Sequence, residues 1–305
     1  VFICMLAGYL LRISGKFTDQ SAKALTTYVV YVAFPALVIH HVPVILQETG
    51  ISTRLLVPVS MPWLLLAFAF VLFSLLGRIF KWRPQIVGAL VLSAGFANTS
   101  LVGFPILEAL LGEEAIKTGI IISQAGSFLA LSTAGLILAS SYSEQNAPVS
   151  SMAERLFKFP PFLAMLFSVA MYLFNIDLPD SVDAVLTKLA ASLMPVALVA
   201  VGNQIRFDGK SIMQRRGPLS VGLGFKLLLA PLLFGLLYVE ILQEHSFEAE
   251  ITVLESAMAP MLTGAIVAGQ FKLDEELAYL LVGIGIPVSL FTVPTWFFLT
   301  QSLFD

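Results

Sequence analysis

The stretch Gly95-Phe-Ala-Asn98-Thr99-Ser100-Leu-Val-Gly103-Phe-Pro105-Ile106 lies in the middle of an apolar run that extends from Gln85 to Leu111. Three consecutive polar side chains, two glycines and a proline at the centre of such a run are costly in hydrocarbon unless the backbone is buried in protein or lines a water-filled cavity. The stretch therefore reads as an interrupted membrane helix. Pro105 lacks an N–H and clashes with the carbonyl four residues earlier, so it is expected to end one half-helix and begin the next. The free N–H groups and positive dipole end of a half-helix attract an anion, and Asn98, Thr99 and Ser100 would add directional hydrogen bonds. A proline kink repaired by neighbouring hydroxyls accounts for the same residues without a site.

The surrounding chain fits a membrane solvent. Of its 305 residues, 58% are hydrophobic and only 12% charged, with a mean hydropathy of +0.90; soluble domains carry about 25% charged residues. Runs such as Val57 to Leu76 and Ala115 to Ala139 can cross about 30 Å of hydrocarbon as helices. A barrel would instead alternate polar and apolar residues over segments of about ten, and no such alternation occurs. The chain is thus read as an all-α polytopic membrane protein placed in the cell membrane. No basic tract points to nucleic acid. The single cysteine, Cys4, makes neither an intrachain disulfide nor a cysteine-rich metal site.

Charges, glycines and prolines divide the chain into ten segments: Val1 to Ile13, Ala24 to Leu46, Leu55 to Phe80, Gln85 to Leu111, Glu114 to Tyr142, Glu154 to Phe174, Val182 to Gln204, Pro218 to Glu240, Glu248 to Gln270, and Glu275 to Leu303. The first is short for a span and is read as the tail of a helix that starts upstream. Thr27 and Pro35 in segment two have the same spacing as Thr187 and Pro195 in segment seven, and Glu113-Glu114-Ala115 opens segment five as Glu275-Glu276-Leu277-Ala278 opens segment ten. Both matches imply one offset of about 160 residues, hence five segments per repeat. An odd number of spans inverts the second copy relative to the first, an architecture of many secondary transporters. The expected organisation is a first repeat over 1–142, a cytoplasmic connecting loop over 143–153, and an inverted second repeat over 154–305.

Segment nine contains the matching interruption, Glu255-Ser256-Ala-Met258-Ala-Pro260-Met-Leu-Thr263-Gly264. Paired interruptions in corresponding segments point to a site near the midplane, between the repeats. Met258, Pro260, Thr263 and Gly264 therefore join Asn98, Thr99, Ser100, Gly103 and Pro105 as candidate substrate contacts. Glu255 stands roughly 10 Å inside its segment at 1.5 Å per residue, where an ionisable group is a candidate proton or cation carrier; it reads equally as a protonated structural hydrogen-bonder. Lys226, about 12 Å into segment eight by the same arithmetic, either snorkels or serves as a counter-charge to substrate or to Glu255. Gln124 and Ser127 in segment five are expected to face segment four, for packing or for substrate contact. His40 and His41 read as interfacial residues.

The motifs Asn98-Thr-Ser-Leu-Val-Gly103-Phe-Pro105-Ile and Ala257-Met-Ala-Pro260-Met-Leu-Thr-Gly264, with Gly8-Tyr-Leu-Leu-Arg12 and Phe34-Pro35-Ala-Leu, resemble the auxin efflux carrier family, which includes plant carriers and bacterial malonate and malate permeases. The resemblance covers nearly the whole chain. It implies a ten-helix fold shared with bile-acid sodium symporters, in which segments one, two, six and seven form a scaffold and three to five with eight to ten form a moving transport domain. Broken segments four and nine would cross at Pro105 and Pro260, and such proteins can dimerise through the scaffold. The short connection after segment five resembles the compact bacterial members. Met261 and Leu262 are apolar where plant carriers tend to have a polar side chain, which points away from auxin.

The function these readings imply is alternating-access transport of a small organic anion, with no cofactor and coupling to H+ or Na+ as the open choices. No Gly-x4-Gly-Lys-Ser/Thr sequence supports an ATP-driven pump, and neither His-Glu-x-x-His nor Gly-x-Ser-x-Gly supports an intramembrane enzyme. A membrane-embedded sensor with the same fold is the other reading. Arg12, Lys16, Lys23, Arg78, Lys81, Arg83, Arg155, Lys158, Arg206, Lys210, Arg215, Arg216 and Lys272 gather on one side of the spans, against Arg54, Lys117 and Lys188 on the other. The first side is then cytoplasmic and both termini lie outside. A cysteine placed at Ser246 should react with an impermeant thiol reagent in intact cells, and one at Lys210 only after permeabilisation; the opposite pattern inverts the assignment.

Overall fold

The computed structural model describes residues 2–49, 55–112, 114–143, 160–204 and 209–304, and among these every regular element is helical. Among the described residues, six helices are long and apolar enough to cross a membrane: Gln20–Val44, Leu56–Ile79, Glu114–Tyr142, Asp180–Ala200, Gly209–Ile241 and Glu275–Gln301. Ile3–Ile13, Pro84–Ala94 and Pro160–Leu173 are shorter apolar helices. The connecting loop after Ser143, the start of segment six at Glu154, and Glu113 lie outside the described residues.

Segment eight starts earlier than its charge pattern suggests. The helix begins at Gly209 and carries Pro218 within it. Arg215 and Arg216 read as a loop, yet Arg215 is held by Asp274 (Nε to Oδ1, 2.9 Å) and by Glu276 (Nη1 to Oε2, 3.1 Å), so the charged turn stays helical. Prolines elsewhere are equally permissive. Pro43, Pro62, Pro195, Pro287 and Pro294 all sit inside continuous helices; in membrane helices neighbouring groups and local widening absorb the lost bond. Several long helices widen into π-turns, as at Val29–Ala33, Ile122–Phe128 and Phe225–Leu229.

The chain forms two compact units, one of Val1–Ser52 with Ala147–Ile205, the other of Thr53–Asn146 with Arg206–Asp305. In the first, the Phe2–Ile13 helix packs along Asp180–Gln204, and Phe34–Thr49 packs against Pro160–Leu173. Small residues permit the first of these contacts. A Cβ at Gly8 would overlap the Val199 carbonyl oxygen, and one at Gly202 the Met5 carbonyl oxygen. Close backbone approach through small residues is how helices associate in lipid, where no hydrophobic drive separates helix from solvent. Polar ties complete the unit: Arg12 Nη1 donates to the Asn203 carbonyl (2.6 Å), Tyr28 Oη meets Ser192 Oγ (2.8 Å), and His40 Nδ1 meets Asp183 Oδ1 (2.6 Å).

In the second unit, Leu56–Ile79 packs against the Ile122–Phe128 π-turn, Pro84–Ala94 and Phe247–Ser256, while Glu275–Phe304 packs against Pro84–Ala94 and Leu262–Gln270. Gly126 lies under the Pro62 ring, and Phe73 meets Phe225 edge to face with centroids 5.1 Å apart. Tyr238 is buried with its hydroxyl bonded to Ser60 Oγ (2.9 Å).

Gly8→Ala should destabilise the first unit by about 1 to 3 kcal/mol, because its methyl meets a backbone carbonyl that cannot turn away. Gly217→Ala, with no atom near the added methyl, should be neutral or slightly stabilising. Thermal melting of the purified variants in one detergent measures both.

Candidate functional site

Two helices of the second unit are interrupted, and their interruptions meet. The first ends at Ala94, where the Gly95 N–H turns back to the Leu90 and Val91 carbonyls (3.3 and 3.1 Å), and helical structure resumes at Thr99. The second runs from Phe247 to Ser256 and resumes at Leu262 after Met261 adopts extended backbone. Between the ends, Ala97 and Pro260 lie opposite one another in an antiparallel pairing one residue long. Asn98 N–H donates to the Ala259 carbonyl (2.8 Å) and Met261 N–H to the Ser93 carbonyl (2.9 Å). Glycine makes this approach possible: a Cβ at Gly264 would overlap the Leu92 carbonyl oxygen, and one at Gly285 would strike the Pro260 ring.

The break in the first helix lies at Gly95–Asn98, several residues before the proline expected to cause it. Pro105 occupies the first turn of the Phe104–Leu111 helix, behind a π-turn over Thr99–Gly103. Proline is tolerated in a first turn because its missing N–H is not needed there. Its side chain lies outside the described residues. What ends the helix is the pairing of the following backbone with Pro260, a partner that no local pattern reveals.

The junction gathers most of the candidate side chains. Asn98 Nδ2, Thr99 Oγ1, Gln124 Oε1, Ser127 Oγ and both Glu255 oxygens are buried with no protein group in hydrogen-bonding reach. Gln124 and Ser127 belong to the Ile122–Phe128 π-turn, which packs on Thr99–Gly103. Glu255 lies against Gly103, where a Cβ would stand 2.6 Å from Oε1 and 2.8 Å from Oε2. Met258 and Pro260 are buried at the second break; Ser100 and Thr263 are only partly buried. Such a concentration of unsatisfied polar atoms is unusual in a folded interior, where most find a partner.

Lys226 does not snorkel. Its helix starts at Gly209 rather than Pro218, which places it about 25 Å from that end at 1.5 Å per residue. Its side chain is 0% exposed, and Nζ donates to the Ser256 carbonyl. Neither Glu255 oxygen is hydrogen-bonded, to Lys226 or to any other protein group.

Chemically, the junction offers two helix N-termini, at Thr99 and Leu262, with their positive dipole ends, two side-chain amides, two hydroxyls and one carboxyl group. This is a ligand-binding inventory without an activated nucleophile. Among the described residues no three His, Cys, Asp or Glu side chains come together as a metal site. Sequence reasoning missed the carbonyls of Ser93, Ser256 and Ala259, because every residue carries one and only the fold selects which are used.

Residues 1–297 match a family described as membrane transport protein. An uncharacterized transporter of Methanocaldococcus jannaschii is 24% identical over 300 residues, covering 97% of this chain and 95% of the relative. One from Methanothermobacter thermautotrophicus is 25% identical over 305 residues, with the same 97% and 95% coverage. The uncharacterized transporter YfdV of Escherichia coli is 22% identical over 307 residues, covering 99% of this chain and 96% of its own.

Gly264→Ala should cost about 1 to 3 kcal/mol, since two backbones would have to separate at the junction. Gly103→Ala should cost less, because what it meets is the end of a flexible Glu255 side chain. Comparing the two melting temperatures tests whether the junction is held by backbone contact; equal and negligible shifts would contradict it.

Proposed function

The chain belongs to the membrane transport protein family, that of the auxin efflux carriers, and we propose that it is a secondary transporter of a small organic anion, working by alternating access with substrate bound where the two interrupted helices meet. The multi-pass, all-α character of the chain supports this setting. The observation that carries the reading is the set of buried, unpartnered groups of Asn98, Thr99 and Glu255 beside two joined helix breaks. Donor groups without protein partners, next to helix N-termini, suit a carboxylate.

In this reading the ten segments form two inverted repeats, and the breaks at 95–98 and 257–261 are their crossover. Segments one, two, six and seven are the scaffold, through which two copies can dimerise; the remainder moves. Asn98, Thr99 and Ser100 contact the anion from one break, Met258, Pro260, Thr263 and Gly264 from the other, with Gly103 and Pro105 shaping the wall and Gln124 and Ser127 behind it. Glu255 carries the coupling proton or sodium ion, with Lys226 as its counter-charge. A carboxylate with no bonded partner is free to take up a cation, and doing so removes a negative charge from the anion's surroundings. Both termini face outside.

Uptake of labelled malonate and malate into proteoliposomes, under pH and sodium gradients, tests the proposal. Asn98→Ala should weaken substrate by about 1 to 3 kcal/mol, the cost of leaving a buried partner unsatisfied. Glu255→Gln should abolish the dependence on one of the two gradients, and the exposed control Glu240→Ala should behave as the native protein. Normal coupled uptake by both Asn98→Ala and Glu255→Gln would move the site elsewhere, whereas saturable binding without uptake would favour a sensor.

A further inference from the structure

We infer that Lys226 is a positioning residue that caps the half-helix Phe247–Ser256 and thereby fixes the second break and the Glu255 carboxyl beside it. The last carbonyls of any helix lack an intrahelical donor, and inside a membrane protein water is a poor substitute. The two half-helices that end at the junction meet this need differently. At the first, the Ser93 carbonyl receives the Met261 N–H (2.9 Å). At the second, Asn98 N–H, the counterpart of Met261 N–H across the Ala97–Pro260 pairing, goes to the Ala259 carbonyl (2.8 Å) rather than to Ser256. Lys226, from the Phe225–Leu229 π-turn, donates to the Ser256 carbonyl instead.

A cation at a helix C-terminus also complements the negative end of the dipole. Ser256 directly follows Glu255, so a half-helix held at Ser256 holds the Glu255 side chain against Gly103. Lys226 thus acts on substrate through the backbone, and removing the charge of Glu255 together with that of Lys226 would not replace the lost donor. The functional consequence rests on the junction being the substrate site; the capping itself does not.

Hydrogen exchange of ligand-free protein in lipid nanodiscs, read by mass spectrometry over 257–262, separates the two. Lys226→Met should speed exchange there by roughly ten- to a hundredfold, as expected for loss of a charged hydrogen bond that closes a local opening, with Leu56–Ile79 unchanged. Lys226→Arg, which keeps donor and charge, should restore protection, and Glu255→Gln alone should leave it native. Lys226→Met with Glu255→Gln, which buries no unpaired charge, should remain as unprotected as Lys226→Met. Native protection in Lys226→Met, or its return in the double variant, would overturn the inference. If Lys226→Met does not insert, the double variant decides: rescue of folding and protection would assign Lys226 to charge balance alone, and failure to rescue would assign it to the carbonyl.

Discussion

Backbone amides and carbonyls that face neither water nor a partner cost several kcal/mol each in a membrane interior, and a helix that stops partway through a membrane protein creates a cluster of them. Two helices stop in this way here. Each break supplies what the other lacks, through Asn98 N–H to Ala259 and Met261 N–H to Ser93. The terminal carbonyl of Ser256 is taken by Lys226. One break without the other would leave its polar backbone unsatisfied, so the pair stands or falls together. Local helix propensity in the second unit is subordinate to this exchange.

Packing in the second unit follows from the same constraint. For the two backbones to reach hydrogen-bonding distance, nothing larger than hydrogen can stand at Gly264, which faces the Leu92 carbonyl, or at Gly285, which faces Pro260. Small residues thus serve the breaks in this unit and helix contact in the other, where Gly8 and Gly202 seat Phe2–Ile13 against Asp180–Gln204. Around the paired backbones, buried side-chain groups of Ser93, Asn98, Thr99, Gln124, Ser127 and Glu255 stand without a protein partner. The junction pairs main chain with main chain and leaves a set of polar side chains uncommitted, which is the condition a ligand site requires.

Several segment boundaries follow the charge and proline pattern closely. Glu114 to Tyr142 is helical throughout, and the last segment opens at Glu275. Others do not, and each for a physical reason. Gly209 rather than Pro218 begins its helix because Arg215 is paired with Asp274 and Glu276 instead of being solvated in a loop. Pro105 begins a half-helix turn but does not make the break. Lys226 reads as a surface-seeking side chain when counted from Pro218; counted from Gly209, it is too deep to escape and finds a carbonyl instead.

By itself the sequence determined the membrane solvent, the helical class, the two interrupted stretches and the small group of polar residues that had to be explained within them. These depend on composition and on near neighbours in the chain, and hydrocarbon penalises polar residues wherever they fall. Only the tertiary structure decided where the first helix stops, which carbonyls are used, and that Lys226 serves Ser256. Proline shows the difference. Pro43, Pro62, Pro195, Pro218, Pro287 and Pro294 lie within continuous helices, and Pro260 differs in that another backbone, at Ala97, lies opposite it. A helix ends where a competing partner is within reach, and that proximity is a property of residues about 160 positions apart.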